Sequence, residues 1–268
     1  MADDDDDDRI TALPESVLVH ILSFLPIHDA IKTEALSKRW QFLWTYLPSI
    51  QFRQANYPTA NEGLVGFVDN TLAVFNCSKL EKFGVDFDYE PHFAPNVNSG
   101  IQFAAGKGVE ELFLEFDSVA DDLYEDVRYE LPQVLYTNSS FERLRFSLCR
   151  VIPKGNVVWN SLKKLSVGYV KLSDGVIEKI LAGSPVLEVL ELYNYWGFSR
   201  LDLSNTSVKK LILKEFWEGD DENDDSEEDD EDDEHDDSEE DDDNDSEEEE
   251  SDGEDHDSEE EEDDGGTR

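Results

Sequence analysis

One short pattern, apolar-x-x-apolar-x-apolar, recurs through the middle of the chain. It appears as L-E-K-F-G-V from Leu80, V-E-E-L-F-L from Val109, F-E-R-L-R-F from Phe141, L-K-K-L-S-V from Leu162, L-E-V-L-E-L from Leu187 and V-K-K-L-I-L from Val208. The starts lie 29, 32, 21, 25 and 21 residues apart. Alternation of apolar and polar residues predicts a half-buried strand. Its return at this interval predicts stacked units of one strand plus one helix or turn, the leucine-rich-repeat signature, here in an irregular array. A helix fits between two units, with Ser173 as cap, Val176, Ile177, Ile180 and Leu181 as apolar face, and Gly183 and Pro185 as stop. Alternation turns Leu165, Val167, Leu190 and Leu192 inward. It turns Lys82, Gly84 and Asp86 outward, then Glu111, Phe113 and Glu115, and the matching residues of each later unit, onto a concave face. Faces of this kind bind partners. Phe113 and Tyr193 are the candidate aromatic anchors, and Arg143 and Arg145 the candidate cationic pair.

The N-terminal segment follows a different period. Pro14 suits the first residue of a helix, where its missing N–H costs nothing. Val17, Leu18, Ile21, Leu22 and Leu25 form a wide apolar face, and Pro26 stops it. A second short helix is predicted from Asp29 to about Glu34. Ser37 then caps a predicted third helix, with Trp40, Leu43, Trp44 and Leu47 on one stripe ending before Pro48. Three short helices in so few residues, without a disulfide or metal, carry more apolar surface than they can bury among themselves. Either a separate protein covers part of it, or the two tryptophans pack on the repeat region as its N-terminal cap.

Charge changes the picture only at the ends. The chain has 268 residues and a formal net charge of -45, but residues 218–268 hold 36 acids and one base, and Asp3–Asp8 add six more acids. Residues 9–217 hold 25 acids and 21 bases, an ordinary globular balance. The acidic tail lacks apolar residues to offset ordering entropy and is predicted to be disordered. Its serines Ser226, Ser238, Ser246, Ser251 and Ser258 each have an acid three positions on, a pattern similar to acidophilic casein-kinase-II-type phosphorylation sites.

Catalytic and ligand-binding patterns are sparse. The histidines are scattered, Cys77 and Cys149 are far apart, and no G-x-S-x-G elbow occurs. Gly100-I-Q-F-A-A-Gly106-Lys107-Gly108 differs from a P-loop in spacing and lacks its final Ser or Thr. No cofactor or metal is expected, nor is nucleic acid, since the ends repel phosphates. The apolar run near residues 17–25 is too short to span a bilayer, and a cytoplasmic or nuclear location is expected.

Leu13-Pro14, Ile21-Leu22-Ser23, Leu25-Pro26, Ala30, Thr33 and Leu36-Ser37-Lys38-Arg39-Trp40-x-x-Leu43-Trp44 together resemble the F-box of plant F-box/leucine-rich-repeat proteins, of the type associated with a further C-terminal FBD domain. The acidic tail begins where many relatives continue, so the repeat array is expected to be shortened. The resemblance implies an α/β protein with a small all-α three-helix F-box over residues 9–50. A leucine-rich-repeat α/β solenoid follows over 51–217, between an acidic N-terminus (1–8) and the tail (218–268). It implies a non-catalytic substrate-recognition subunit of an SCF-type ubiquitin ligase, whose F-box docks a Skp-type adaptor and through it a cullin–RING ligase. The target protein is unspecified. By position, Leu13, Pro14, Leu18, Ile21, Leu22, Leu25, Leu36, Trp40 and Trp44 would contact the adaptor, some shared with the F-box's own core. The competing expectation is an acidic, chaperone-like protein whose tail engages basic partners, with a vestigial F-box.

Overall fold

The computed structural model describes residues 10, 12–56, 61–117 and 128–215. The two acidic ends, including the five tail serines, lie outside the described residues. Helix α1 spans Glu15–Leu22 and α2 Ile27–Lys32. Strand β1 (Ser49–Arg53) leads to helix α3 (Asn61–Val74) and strand β2 (Lys82–Asp88). Then come α4 (Ala94–Gly106), β3 (Glu111–Asp117), β4 (Tyr129–Glu130) and the one-turn α5 (Gln133–Tyr136). The remainder is β5 (Arg143–Ser147), β6 (Cys149–Arg150), β7 (Lys164–Lys171), α6 (Asp174–Ala182), β8 (Val189–Trp196) and β9 (Lys210–Lys214).

Seven strands form one parallel sheet in the order β1-β2-β3-β5-β7-β8-β9. Strands β4 and β6 pair separately, also in parallel. All six repeats of the sequence pattern place their last residues on strands of the main sheet. Their inward positions, such as Phe83, Leu112, Leu144, Leu165 and Leu190, stand side by side in register and are buried. Successive strands are tied at their N-terminal ends by a repeating bond. The carbonyls of Pro48, Glu81, Glu110, Glu142, Lys163 and Glu188 each accept two N–H groups from the following unit. Lys79–Glu110, Lys163–Glu142 and Lys209–Glu188 ion pairs border the same edge.

Strand β1 was not anticipated, although L-P-S-I-Q-F from Leu47 fits the same pattern. It is the first rung of the ladder. A proline suits that place, since a first strand residue with no N–H leaves no rung unmade. The F-box-like segment therefore ends inside the sheet.

A row of backbone irregularities crosses the far end of the sheet. Leu148 (φ 52), Tyr169 (φ 48) and Asn194 (φ 44) are left-handed. Each directly follows one of Ser147, Gly168 and Tyr193, which are mutual register partners. At Tyr169 the side chain is turned out and inward burial resumes one step late, at Val170, while Leu148 stays buried and β7 and β8 keep a one-to-one register across the row. Strict alternation from the sequence therefore fails beyond this row.

Two local expectations are corrected. Pro14 precedes α1 as its cap residue instead of opening it, with extended backbone at φ -57 and ψ 148. The Trp stripe is not an α-helix. Ser37 to Leu47 is a run of three-residue turns ending in a 3-10 helix, Leu43–Tyr46, broken by Phe42 at φ 64. Four apolar positions at zero, three, four and seven fit a three-residue period nearly as well as the α-helical one. The choice is made by Glu34, whose Oε1 accepts both the Phe42 N–H (3.1 Å) and the Trp44 Nε1–H (2.6 Å). The Gly100–Gly106 stretch is part of helix α4, and the Lys107 ammonium donates to the Cys77 carbonyl (2.8 Å), so no phosphate loop is formed.

Candidate functional site

The N-terminal residues divide into two sets. Leu18, Leu22, Ile27, Ala30, Leu43 and Leu47 are buried. So are both tryptophans, Trp40 at 5% exposure and Trp44 at 4%. The Trp44 ring lies 6.5 Å from that of Phe75, just beyond α3, and the Thr45 carbonyl accepts the Asn76 N–H (3.0 Å). The indoles thus pack within the chain's own core, at the junction with the repeat region. Of the adaptor-contact candidates, Leu18, Leu22, Trp40 and Trp44 are therefore the ones that the chain's own core holds, and the 3-10 run turns the Trp44 ring inward.

The second set is exposed. Ile21, Leu25 and Leu36 keep their candidate status, Pro14 is exposed, and Leu13 is half-buried, with its carbonyl accepting a bond from the Arg39 guanidinium. Phe24 at 75% exposure and Leu36 at 66% stand out, joined by Ile10, Val17, Phe42 and Tyr46. Sequence reasoning missed Phe24, Phe42 and Tyr46. Its one usable signal was the width of the apolar arc on α1, where Val17 and Ile21 form a second stripe beside Leu18 and Leu22. Patches of this kind on a folded chain mark contact surfaces.

On the outward face of the sheet the candidate residues are held by one another. Lys82 Nζ lies 4.5 Å over the Phe113 ring and 3.8 Å from Glu111, which also pairs with Arg143. Arg145 pairs with Glu115 and bonds the Tyr193 hydroxyl. Lys164 meets Glu191 at 2.7 Å. Burial pushes the Glu191 carboxyl up, but bonds from Lys164 and Ser166 outweigh it and hold the group below its ordinary range. Not every outward position is solvated. Gly84, Ser147, Ser166 and Gly168 are buried on this face. The Tyr193 ring lies flush on Gly168, where an added Cβ would fall 1.7 Å from the ring. Phe113, Arg143, Arg145 and Tyr193 thus form a connected polar and aromatic surface in the middle of the sheet.

Among the described residues no cluster of three or more His, Cys, Asp or Glu could hold a metal ion. No described helix is long and apolar enough to cross a membrane. Cys77 and Cys149 are both free thiols, and burial pushes the Cys149 thiol well above its ordinary range.

Comparison with known families finds two matches along the chain. The F-box domain family matches residues 10–52, and the family described as FBD-associated F-box protein At5g56370, LRR repeats, matches residues 97–225. F-box/LRR-repeat protein At5g02910 of Arabidopsis thaliana is 37% identical over 203 residues, covering 74% of this chain and 41% of its own length. F-box/LRR-repeat protein 25 of the same plant is 34% identical over 200 residues, covering 74% of this chain and 72% of its own length. The chain spans about half or less of several of these curated relatives. With the F-box match on the helices that precede β1, the repeat match on the later strands, and a relative aligned over most of its length, the chain belongs to the F-box/LRR-repeat family of plants.

Proposed function

We propose that this protein is a non-catalytic substrate-recognition subunit of an SCF-type ubiquitin ligase, acting in the cytoplasm or nucleus. The observation that carries the reading is the exposed apolar surface of Phe24, Leu36, Ile21 and Leu25 on the segment matched by the F-box family. On this reading a Skp-type adaptor covers that surface and links the chain to a cullin–RING enzyme. The concave face around Phe113, Arg143, Arg145 and Tyr193 holds the target. Ubiquitin transfer is the work of the other subunits, and this chain contributes proximity.

The test is co-precipitation of a Skp-type adaptor with the full chain and with a Phe24→Ser/Leu36→Ser variant. Burying most of two large apolar side chains contributes about 2–4 kcal/mol, so the variant is expected to bind roughly 30- to 1,000-fold more weakly. Equal recovery of the adaptor by a folded variant would sink the reading. The second reading, an acidic chaperone-like protein, is favoured by the 36 acids of residues 218–268. It requires capture of a basic protein that is lost when the tail is deleted, with no adaptor binding by the full chain; loss of basic-protein capture with adaptor binding intact would mean that both modules function.

A further inference from the structure

A cavity of about 370 Å³ opens at the carboxyl ends of the later strands, away from both surfaces described above. Its lining combines Arg128, Arg150 and Lys171 with the apolar Val151, Ile152 and Val176. The left-handed row builds this place. Lys171 follows the left-handed Tyr169 by two residues and Arg150 follows the left-handed Leu148 by two, and both line the cavity. Arg128 is set in position by two contacts. Its Nη1 donates to the carbonyl of the left-handed Tyr169 (2.8 Å), and its guanidinium carbon lies 5.0 Å over the Trp196 ring.

The surroundings favour negative charge. Ser173, in the cap position of α6, lines the cavity, and its hydroxyl makes no capping bond. The amino end of a helix favours negative charge. Among the described residues two carboxylates stand nearby. Glu130 lies 3.9 Å from Arg150, a loose pair. Asp174 accepts bonds from the Ser199 and Arg200 N–H groups and the Ser199 hydroxyl, which commits it to the 198–200 loop. Three basic side chains therefore line one half-apolar cavity, and of these Lys171 already has an interaction of its own.

We infer that this cavity binds a small organic oxyanion, its phosphate or carboxylate head on Arg128 and Arg150 and its apolar body on Val151, Ile152 and Val176. The volume suits a ligand at the small end of the range for such sites. The guanidinium fork matches either head group. The inference stands apart from adaptor docking, since none of these residues belongs to the F-box segment.

The experiment is calorimetric titration of the full chain with phenyl phosphate, inorganic phosphate and phenol. Phenyl phosphate is expected to bind best, because it alone supplies both head and body. Arg128→Gln and Arg150→Gln should each weaken it by about 10- to 100-fold, the usual worth of a charge-assisted bond. Lys210→Gln, on β9, should change nothing. Arg150 makes only the loose Glu130 pair, so its variant reports on the site without disturbing the fold. Val176→Phe, which fills the apolar floor, should remove the advantage of phenyl phosphate over inorganic phosphate. Absence of saturable phenyl phosphate binding at millimolar concentration would overturn the inference. So would binding indifferent to Arg150→Gln and Arg128→Gln.

Discussion

The most informative single substitution is Trp44→Ala, because it separates a core tryptophan from a docking tryptophan. Trp44 is 4% exposed in the chain alone, packed toward Phe75 and bonded through Nε1 to Glu34. Truncating a buried aromatic costs about 3–5 kcal/mol. The lost hydrogen bond adds roughly 1 kcal/mol, tempered because Glu34 Oε1 keeps the Phe42 N–H. Domains are stable by about 5–15 kcal/mol in all, so a third or more of the stability should go. At about 2–4 °C per kcal/mol for a domain of this size, Tm should fall by about 6–20 °C. Phe24→Ser is the counterpart. At 75% exposure it should leave stability within about 0.5 kcal/mol of the parent. Urea and thermal unfolding followed by near-ultraviolet circular dichroism measure both. If Trp44→Ala stays within about 1 kcal/mol of the parent, the indole is not core. The division of the N-terminal segment into core and contact sets would then fail.

Glycine positions give an opposed pair. At Gly66, in α3, an added Cβ meets nothing within 4 Å, so Gly66→Ala should stabilise by about 0.5–1 kcal/mol. At Gly183 the Cβ would lie 2.2 Å from the Val157 carbonyl oxygen, so Gly183→Ala should lower Tm by several degrees, and an unchanged Tm would contradict the packing there. Burial, and after it the neighbouring Asp117, hold the Asp86 carboxyl above its ordinary range, partly offset by Arg53 and Arg145. A raised folded pKa favours the folded state at low pH and costs stability as pH rises past the unfolded value. Asp86→Asn should therefore raise Tm near about pH 7 and lose that advantage near about pH 3, and an equal gain at both would refute the assignment. Leu192 and Leu213 are register partners, but Leu192 is 1% exposed and Leu213 is 47%. Leu192→Ala should cost about 2–5 kcal/mol and Leu213→Ala under about 1, measured by urea unfolding.

The repeats were legible because burying one face of a parallel ladder forces the same apolar spacing on every strand. Phe83, Leu112, Leu144, Leu165 and Leu190 share a register row and carry the same letter class. The left-handed row was not legible. Leu148, Tyr169 and Asn194 have nothing in common as side chains, and a left-handed backbone is ordinarily signalled by glycine. The outward-facing candidates were chosen from parity alone, but parity does not show that Tyr193 would cover Gly168. In the N-terminal segment the apolar residues were legible, but which of them the chain's own core holds was not. Which of Trp44 and Phe24 is buried turns on Glu34, ten residues from Trp44, and on the left-handed Phe42. Neither feature leaves a periodic trace.

Strand β1 also bears on how the proposed function would work. It begins two residues after Leu47, the last of the buried Trp stripe, and hydrogen-bonds along β2 from Ser49↔Lys82 to Arg53↔Asp86. With Trp44 against Phe75, it joins the F-box segment and the repeats through one continuous core instead of a linker. A flexible linker would spread a held target over many positions relative to the adaptor and dilute its effective concentration. A shared core confines it to one geometry. Substitutions at this junction, Trp44→Ala among them, should therefore weaken target ubiquitination even where the exposed adaptor surface is intact, and a ligation assay reconstituted with purified subunits would separate the two effects.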